Sequence, residues 1–74
     1  MEQRVKGIMA KVFKIDEIPD DSSMDTIENW DSLRHMYFVV ALEEEFGVEF
    51  SQTQITEMLS YKIILLTLQE VAAG

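Results

Sequence analysis

Ser32, with Asp31 before it and His35 three residues after it, carries the side chains that first invite a chemical reading. A serine, a histidine and an aspartate are the parts of a nucleophilic triad. Here they fall within one short stretch of chain. Ser32 and His35 could touch across a helical turn, but Asp31 would then have to orient the imidazole from the wrong side. Nothing nearby suggests an oxyanion hole or an enclosed pocket, so catalysis is not expected. The plain alternative is that Asp31 or Ser32 caps a helix, since either side-chain oxygen can accept an orphan backbone N–H.

Metal chemistry fares no better. Asp16, Asp20, Asp21 and Asp25 suggest a calcium loop, but such a loop needs alternating oxygen ligands, a glycine at its sixth position and a glutamate at its twelfth. Counted from Asp20, the third, fifth and sixth positions are Ser22, Met24 and Asp25, and the pattern fails. With no cysteine and a single histidine, a zinc site is not expected either.

The 14 acidic residues against 6 basic give a net charge of −8. That balance argues against nucleic acid, whose binders concentrate Lys and Arg on one face. It favours partners with basic surfaces, although the bland use of such charge is solubility. Seventy-four residues make one domain, 1–74, with little room for a catalytic cleft. No signal peptide is expected, and the longest apolar run, 37–42, is too short to span a membrane. The expectation is a cytoplasmic monomer.

The elements that must position Ser32 follow from periodicity. Val5, Ile8, Met9, Val12 and Phe13 share one side of a helix over Glu2–Phe13, mildly weakened by Gly7. Residues 15–30 are too broken for a helix: Pro19, the 20–23 Asp-Asp-Ser-Ser cluster and Asn29 are loop chemistry. Ile15, Ile18, Met24 and Ile27 would pin that loop to the core. A second helix runs from Asp31 or Ser32 to about Phe46, where Gly47 can terminate it in the left-handed conformation. Val48 and Phe50 tie down the next loop. Ser51 and Gln54 have capping-box spacing for a short helix over 54–59. A fourth opens at Ser60 or Tyr61 and runs to about 72, with Tyr61, Ile64, Leu65, Leu68, Val71 and Ala72 on one face. Ile63 and Leu66 lie off that face. The fold class is all-α, a small bundle of three long helices and one short one, with a long loop between the first two.

The second helix has two apolar faces. Phe38, Val39, Leu42 and Phe46 cluster in one arc and must be core. Leu33, Met36 and Val40 form another stripe, edged by Tyr37, Glu43 and Glu44. Either this stripe packs under the long loop, or it is an exposed patch rimmed by acid where a partner docks.

Trp30-Asp31-Ser32-Leu33 at a helix start, followed by Ala41-Leu42-Glu43-Glu44-Glu45-Phe46-Gly47-Val48, resembles the acyl carrier proteins. The likeness extends over essentially the whole chain, through Arg4-Val5 and Ile8, Ile18 and Asp20-Asp21-Ser22, and the segment from Ser60. It implies a carrier that is not an enzyme. Ser32 would receive 4′-phosphopantetheine from coenzyme A through a phosphopantetheinyl transferase, with release of adenosine 3′,5′-bisphosphate, and cargo would ride as a thioester. A phosphodiester at a helix N-terminus meets unpaired N–H groups and the positive end of the dipole. The resemblance also implies that Asp31 helps hold the transferase's magnesium. Leu33, Met36, Tyr37, Val40, Glu43 and Glu44 would form the docking face for that transferase and for acyl-transfer or acyl-synthesis enzymes with basic surfaces. His35, Ile55, Met58 and Leu59 would line an acyl pocket between the second and third helices, although His35 also reads as a half-buried, hydrogen-bonded residue and Phe38 as core. Trp30 is a loop anchor or a contact for the arm.

Carriers of fatty acid synthesis usually place acids where this chain has Arg34 and Tyr37. The departure resembles specialised carriers for aminoacyl, secondary-metabolite or surface-polysaccharide chemistry. A rival reading is an acidic helical adaptor with no prosthetic group, which explains charge and patch but leaves the setting of Ser32 a coincidence.

Overall fold

A computed structural model describes residues 2–73. Four helices follow in order: α1 Glu2–Phe13, α2 Ser32–Phe46, α3 Gln52–Glu57 and α4 Tyr61–Ala73. No strand occurs among the described residues; the nearest approach is an isolated antiparallel bridge between Ser23 and Ser60.

The apolar spacing acts as expected. Val5, Met9 and Phe13 from α1, Phe38, Val39 and Leu42 from α2, and Tyr61, Ile64 and Leu68 from α4 are buried together. Each large side chain stabilises the fold by about 1.5–3 kcal/mol when withdrawn from water. Ala72, expected on the buried face of α4, is exposed, whereas Thr67 is buried. Ile63 and Leu66 project outward.

Helix ends follow from capping chemistry. At the end of α1, Lys14 takes a left-handed conformation (φ 57°) and the Ile15 amide returns to the Ala10 carbonyl at 3.2 Å, the six-to-one bond of a Schellman motif. At the end of α2, Gly47 takes φ 63° and the Val48 amide returns to the Glu43 carbonyl, the same motif. Only the first of these positions lacks a glycine. The third helix starts two residues before the expected 54 and stops at Glu57. Ser51 is its N-cap in a full capping box with Gln54, which makes Gln52 the first helical residue, and Met58 (φ −80°, ψ 59°) leaves helical geometry. Ser60 Oγ accepts the Ile63 amide at 3.3 Å at the start of α4.

The long loop is held by backbone pairing as well as apolar anchors. Ile18 and Ile27 are buried, while Ile15 and Met24 pack half-buried against the core. Met24 N–H donates to the Leu59 carbonyl and Tyr61 N–H to the Ser22 carbonyl, both at 2.9 Å. Lys6 Nζ reaches Asp20 at 2.6 Å and ties the loop to α1. That hydrogen bond holds the Asp20 carboxyl below its ordinary range and the Lys6 ammonium above its own. Burial, then the nearby Glu2 carboxylate, push the Tyr61 hydroxyl up. The loop is thereby an ordered strap whose far end delivers residues 29–31 to the head of α2.

Candidate functional site

The head of α2 is assembled from three directions. Trp30 is buried and stacks on Phe13 from α1, ring centroids 4.8 Å apart, and meets Phe38 edge-on at 6.0 Å. Asn29 Nδ2 donates to the Phe13 carbonyl at 2.8 Å. Trp30 is therefore a loop anchor. With the chain fixed there, Asp31 turns extended (φ −107°, ψ −177°), and its Oδ1 accepts the Arg34 amide at 2.9 Å. Asp31 is the N-cap and Ser32 the first helical residue.

That division frees Ser32. It is exposed, and its hydroxyl has no hydrogen-bond partner among the described residues. The other four serines are all engaged. Ser22 Oγ donates to the Pro19 carbonyl and is buried. Ser23, Ser51 and Ser60 each accept a backbone amide, from Asp25, Gln54 and Ile63. The amides of Ser32 and Leu33 stand at the opening of the helix, where no carbonyl precedes them in register. No acid lies in the first turn. An exposed hydroxyl, adjacent unpaired donors and the positive end of the dipole fit a phosphodiester on Ser32.

His35 cannot serve Ser32 as a base. Its ring is buried, Nδ1 accepts the Trp30 indole N–H at 3.0 Å, and Nε2 pairs with the Ile55 carbonyl at 2.8 Å. A carbonyl only accepts, so the proton sits on Nε2 and both nitrogens are occupied. With Asp31 as cap, Trp30 and His35 stand at the N′ and N4 positions of a hydrophobic staple. That spacing is the signal by which the sequence shows the pair.

The second stripe of α2 is open rather than packed under the loop. Leu33, Met36, Tyr37 and Val40 are 62, 46, 59 and 47% exposed. Glu44 is exposed beyond them. Glu43 is half-buried and accepts the Phe50 amide at 2.9 Å, and Glu45 pairs with Arg4. Arg34, read as part of the face beside Ser32, instead turns back and donates to the Val12 carbonyl at 2.9 Å. No group of three or more His, Cys, Asp or Glu among the described residues could hold a metal ion.

The four residues expected to line an acyl pocket stand in different settings. His35 and Ile55 are joined by a hydrogen bond, Met58 is wholly buried in the core, and Leu59 is 40% exposed. A hollow of ≈ 430 Å³ between Ile15, Pro19, Ile27 and Asn29 lies under the long loop.

Comparison with known proteins adds to this geometry. The family model described as "Phosphopantetheine attachment site" matches residues 3–61. The chain belongs to that family. It is a carrier of covalent 4′-phosphopantetheine and not itself a catalyst. The solution NMR structure of a holo acyl carrier protein from Geobacter metallireducens superposes with a TM-score of 0.86 at 24% identity, covering 97% of this chain and 85% of that one. The expected bundle is thus the observed fold. No curated protein sequence matches the chain.

Proposed function

We propose that this chain is an acyl carrier protein whose prosthetic arm is attached at Ser32. One observation carries the assignment: Ser32 is the serine, among the described residues, whose hydroxyl is exposed and uncommitted, and it stands at the first position of a helix whose cap is supplied by Asp31. Asp31 takes one backbone amide through Oδ1 and keeps a second carboxylate oxygen for the transferase's magnesium. Since no base in the chain faces Ser32, the transferase supplies the base. The Ser32 oxygen displaces adenosine 3′,5′-bisphosphate from coenzyme A, and its proton passes to that base. The arm's terminal thiol then holds cargo as a thioester.

Docking falls to the exposed Leu33, Met36, Tyr37 and Val40, with Glu44 and the free edge of Glu43 as the acidic rim. A chain of net charge −8 attracts a transferase and acyl-handling enzymes with basic surfaces. The exposed tyrosine at position 37, where carriers of fatty acid synthesis hold an acid, favours a specialised pathway over routine fatty acid synthesis. No described helix is long and apolar enough to cross a membrane, and we place the carrier in the cytoplasm.

The test is intact mass after incubation with coenzyme A and a broad-specificity transferase. Wild type should gain one phosphopantetheine and Ser32→Ala none, with the fold retained. Modification at Ser22, Ser23, Ser51 or Ser60, or none at all, would overturn the assignment.

A further inference from the structure

We infer that the seam between α2 and α3 is closed by a polar brace centred on His35, and that this carrier holds its cargo outside the bundle, which suits short or polar acyl groups rather than long aliphatic chains. The inference rests on attachment at Ser32. Cargo on an arm anchored there reaches the interior most directly through the seam beside the first turn of α2. His35 stands one turn below Ser32 and spans that seam, with Nε2–H donated to the carbonyl of Ile55 in α3 at 2.8 Å. Its other nitrogen is held by the indole of Trp30, which is pinned by stacking on Phe13. Loop, α2 and α3 are joined through one imidazole.

Behind the brace stand large buried side chains. Phe38, Leu42 and Met58 have no exposed surface. Two hollows lie under the long loop and against α1, lined by Ile15, Pro19 and Ile27 in one and by Ile8, Val12 and Ala41 in the other, away from the seam. An aliphatic chain entering at His35 must part the imidazole from the Ile55 carbonyl. It would then leave an N–H and a C=O facing methylenes, neither of which they can bond. It must also displace the buried side chains of Phe38, Leu42 and Met58. A polar or short group makes no such demand and gains nothing from entering.

The experiment loads Ser32 with acetyl- and octanoyl-phosphopantetheine and compares the two forms by methyl and histidine NMR. Mass is read first: a chain that accepts no arm overturns the carrier assignment and this inference with it. In the loaded protein, the Met58 methyl and both His35 ring nitrogens should show the same shifts with either cargo, and the melting temperature should not rise with chain length. His35→Leu removes the brace and should give octanoyl-dependent shifts at Met58. Length-dependent shifts at Met58 and loss of the Nε2–H bond in the octanoyl wild type would overturn the proposal, whatever the variant does.

Discussion

Arg34, in the first turn of α2, donates from Nη1 to the carbonyl of Val12 in the last turn of α1, 2.9 Å away. At the other end of the same pair of helices, Arg4 donates from Nη2 to the carbonyl of Glu45 at 3.1 Å, grips its carboxylate at 2.6 Å and lies over the Phe46 ring. Each of two antiparallel helices thus sends an arginine to the carbonyl end of the other. The last carbonyls of a helix lack partners within it and carry its negative pole, so a guanidinium satisfies both needs.

Arg34 should therefore matter for stability more than for recognition. Arg34→Ala should cost about 1 kcal/mol, the net worth of one hydrogen bond. Arg34→Glu should cost more, because a carboxylate there faces the negative end of α1. Urea denaturation midpoints measure both. Equal midpoints for wild type and Arg34→Glu would show that the Val12 contact contributes nothing.

Two substitutions in and just after α1 should strengthen it. Gly7 is exposed, and a Cβ built there meets nothing within 4 Å. Gly7→Ala should add about 0.5–1 kcal/mol by removing freedom from the unfolded chain. Lys14 holds a left-handed conformation that side chains disfavour by roughly 1–2 kcal/mol. Lys14→Gly relieves that and gives back part as unfolded-state entropy, for a net gain of up to about 1 kcal/mol. Gly47, already suited to the same conformation, should lose stability on Gly47→Ala. Thermal melts that fail to order these three variants around wild type would contradict the capping account.

The sequence shows most of the fold because its strongest signals are local. Apolar residues at helical spacing mark α1 and α2, and Gly47 marks a stop by its own chemistry. The capping box at Ser51 and Gln54 is equally visible, but which residue is the cap decides where α3 begins, and that shifts the helix by two. Arg34 is legible only in three dimensions: its partner lies 22 residues away, and a cap across that distance leaves no periodic trace. Read locally, it looks like a change in the docking face. Ser32 stands out by position, but its isolation from the other serines depends on which hydroxyls the loops consume.

The Lys6–Asp20 pair gives a pH signature. The hydrogen bond from Lys6 lowers the Asp20 carboxyl, so its contribution is present above the carboxyl's unfolded value and is lost as pH falls through the folded one. Lys6 is raised, so its contribution is present below its unfolded value and is lost as pH rises through the folded one. Between these limits the pair should be a constant, small stabiliser, since it is on the surface. Subtracting the Asp20→Asn profile of stability against pH from that of wild type should give a plateau at neutral pH that vanishes toward strong acid. A difference that grows on acidification would contradict the sign.

The two faces of α2 make the sharpest prediction. Phe38 is wholly buried against Phe13 and Trp30, whereas Met36, two residues earlier, is 46% exposed. Phe38→Ala should cost about 3–5 kcal/mol, a large share of what a small domain has. Met36→Ala should change stability by no more than about 0.5 kcal/mol. Recognition should respond in the opposite order. An apolar anchor ringed by polar residues carries much of an interface's energy, so Met36→Ala should weaken binding to the transferase by about tenfold, or about 1.4 kcal/mol. Glu44→Lys should slow association and flatten its salt dependence, because a rim charge steers encounter more than it holds the complex. Denaturant midpoints and binding kinetics on the same two alanine variants separate the effects. Should Met36→Ala unfold the protein as readily as Phe38→Ala, or leave transferase binding unchanged, the exposed stripe is not a docking face.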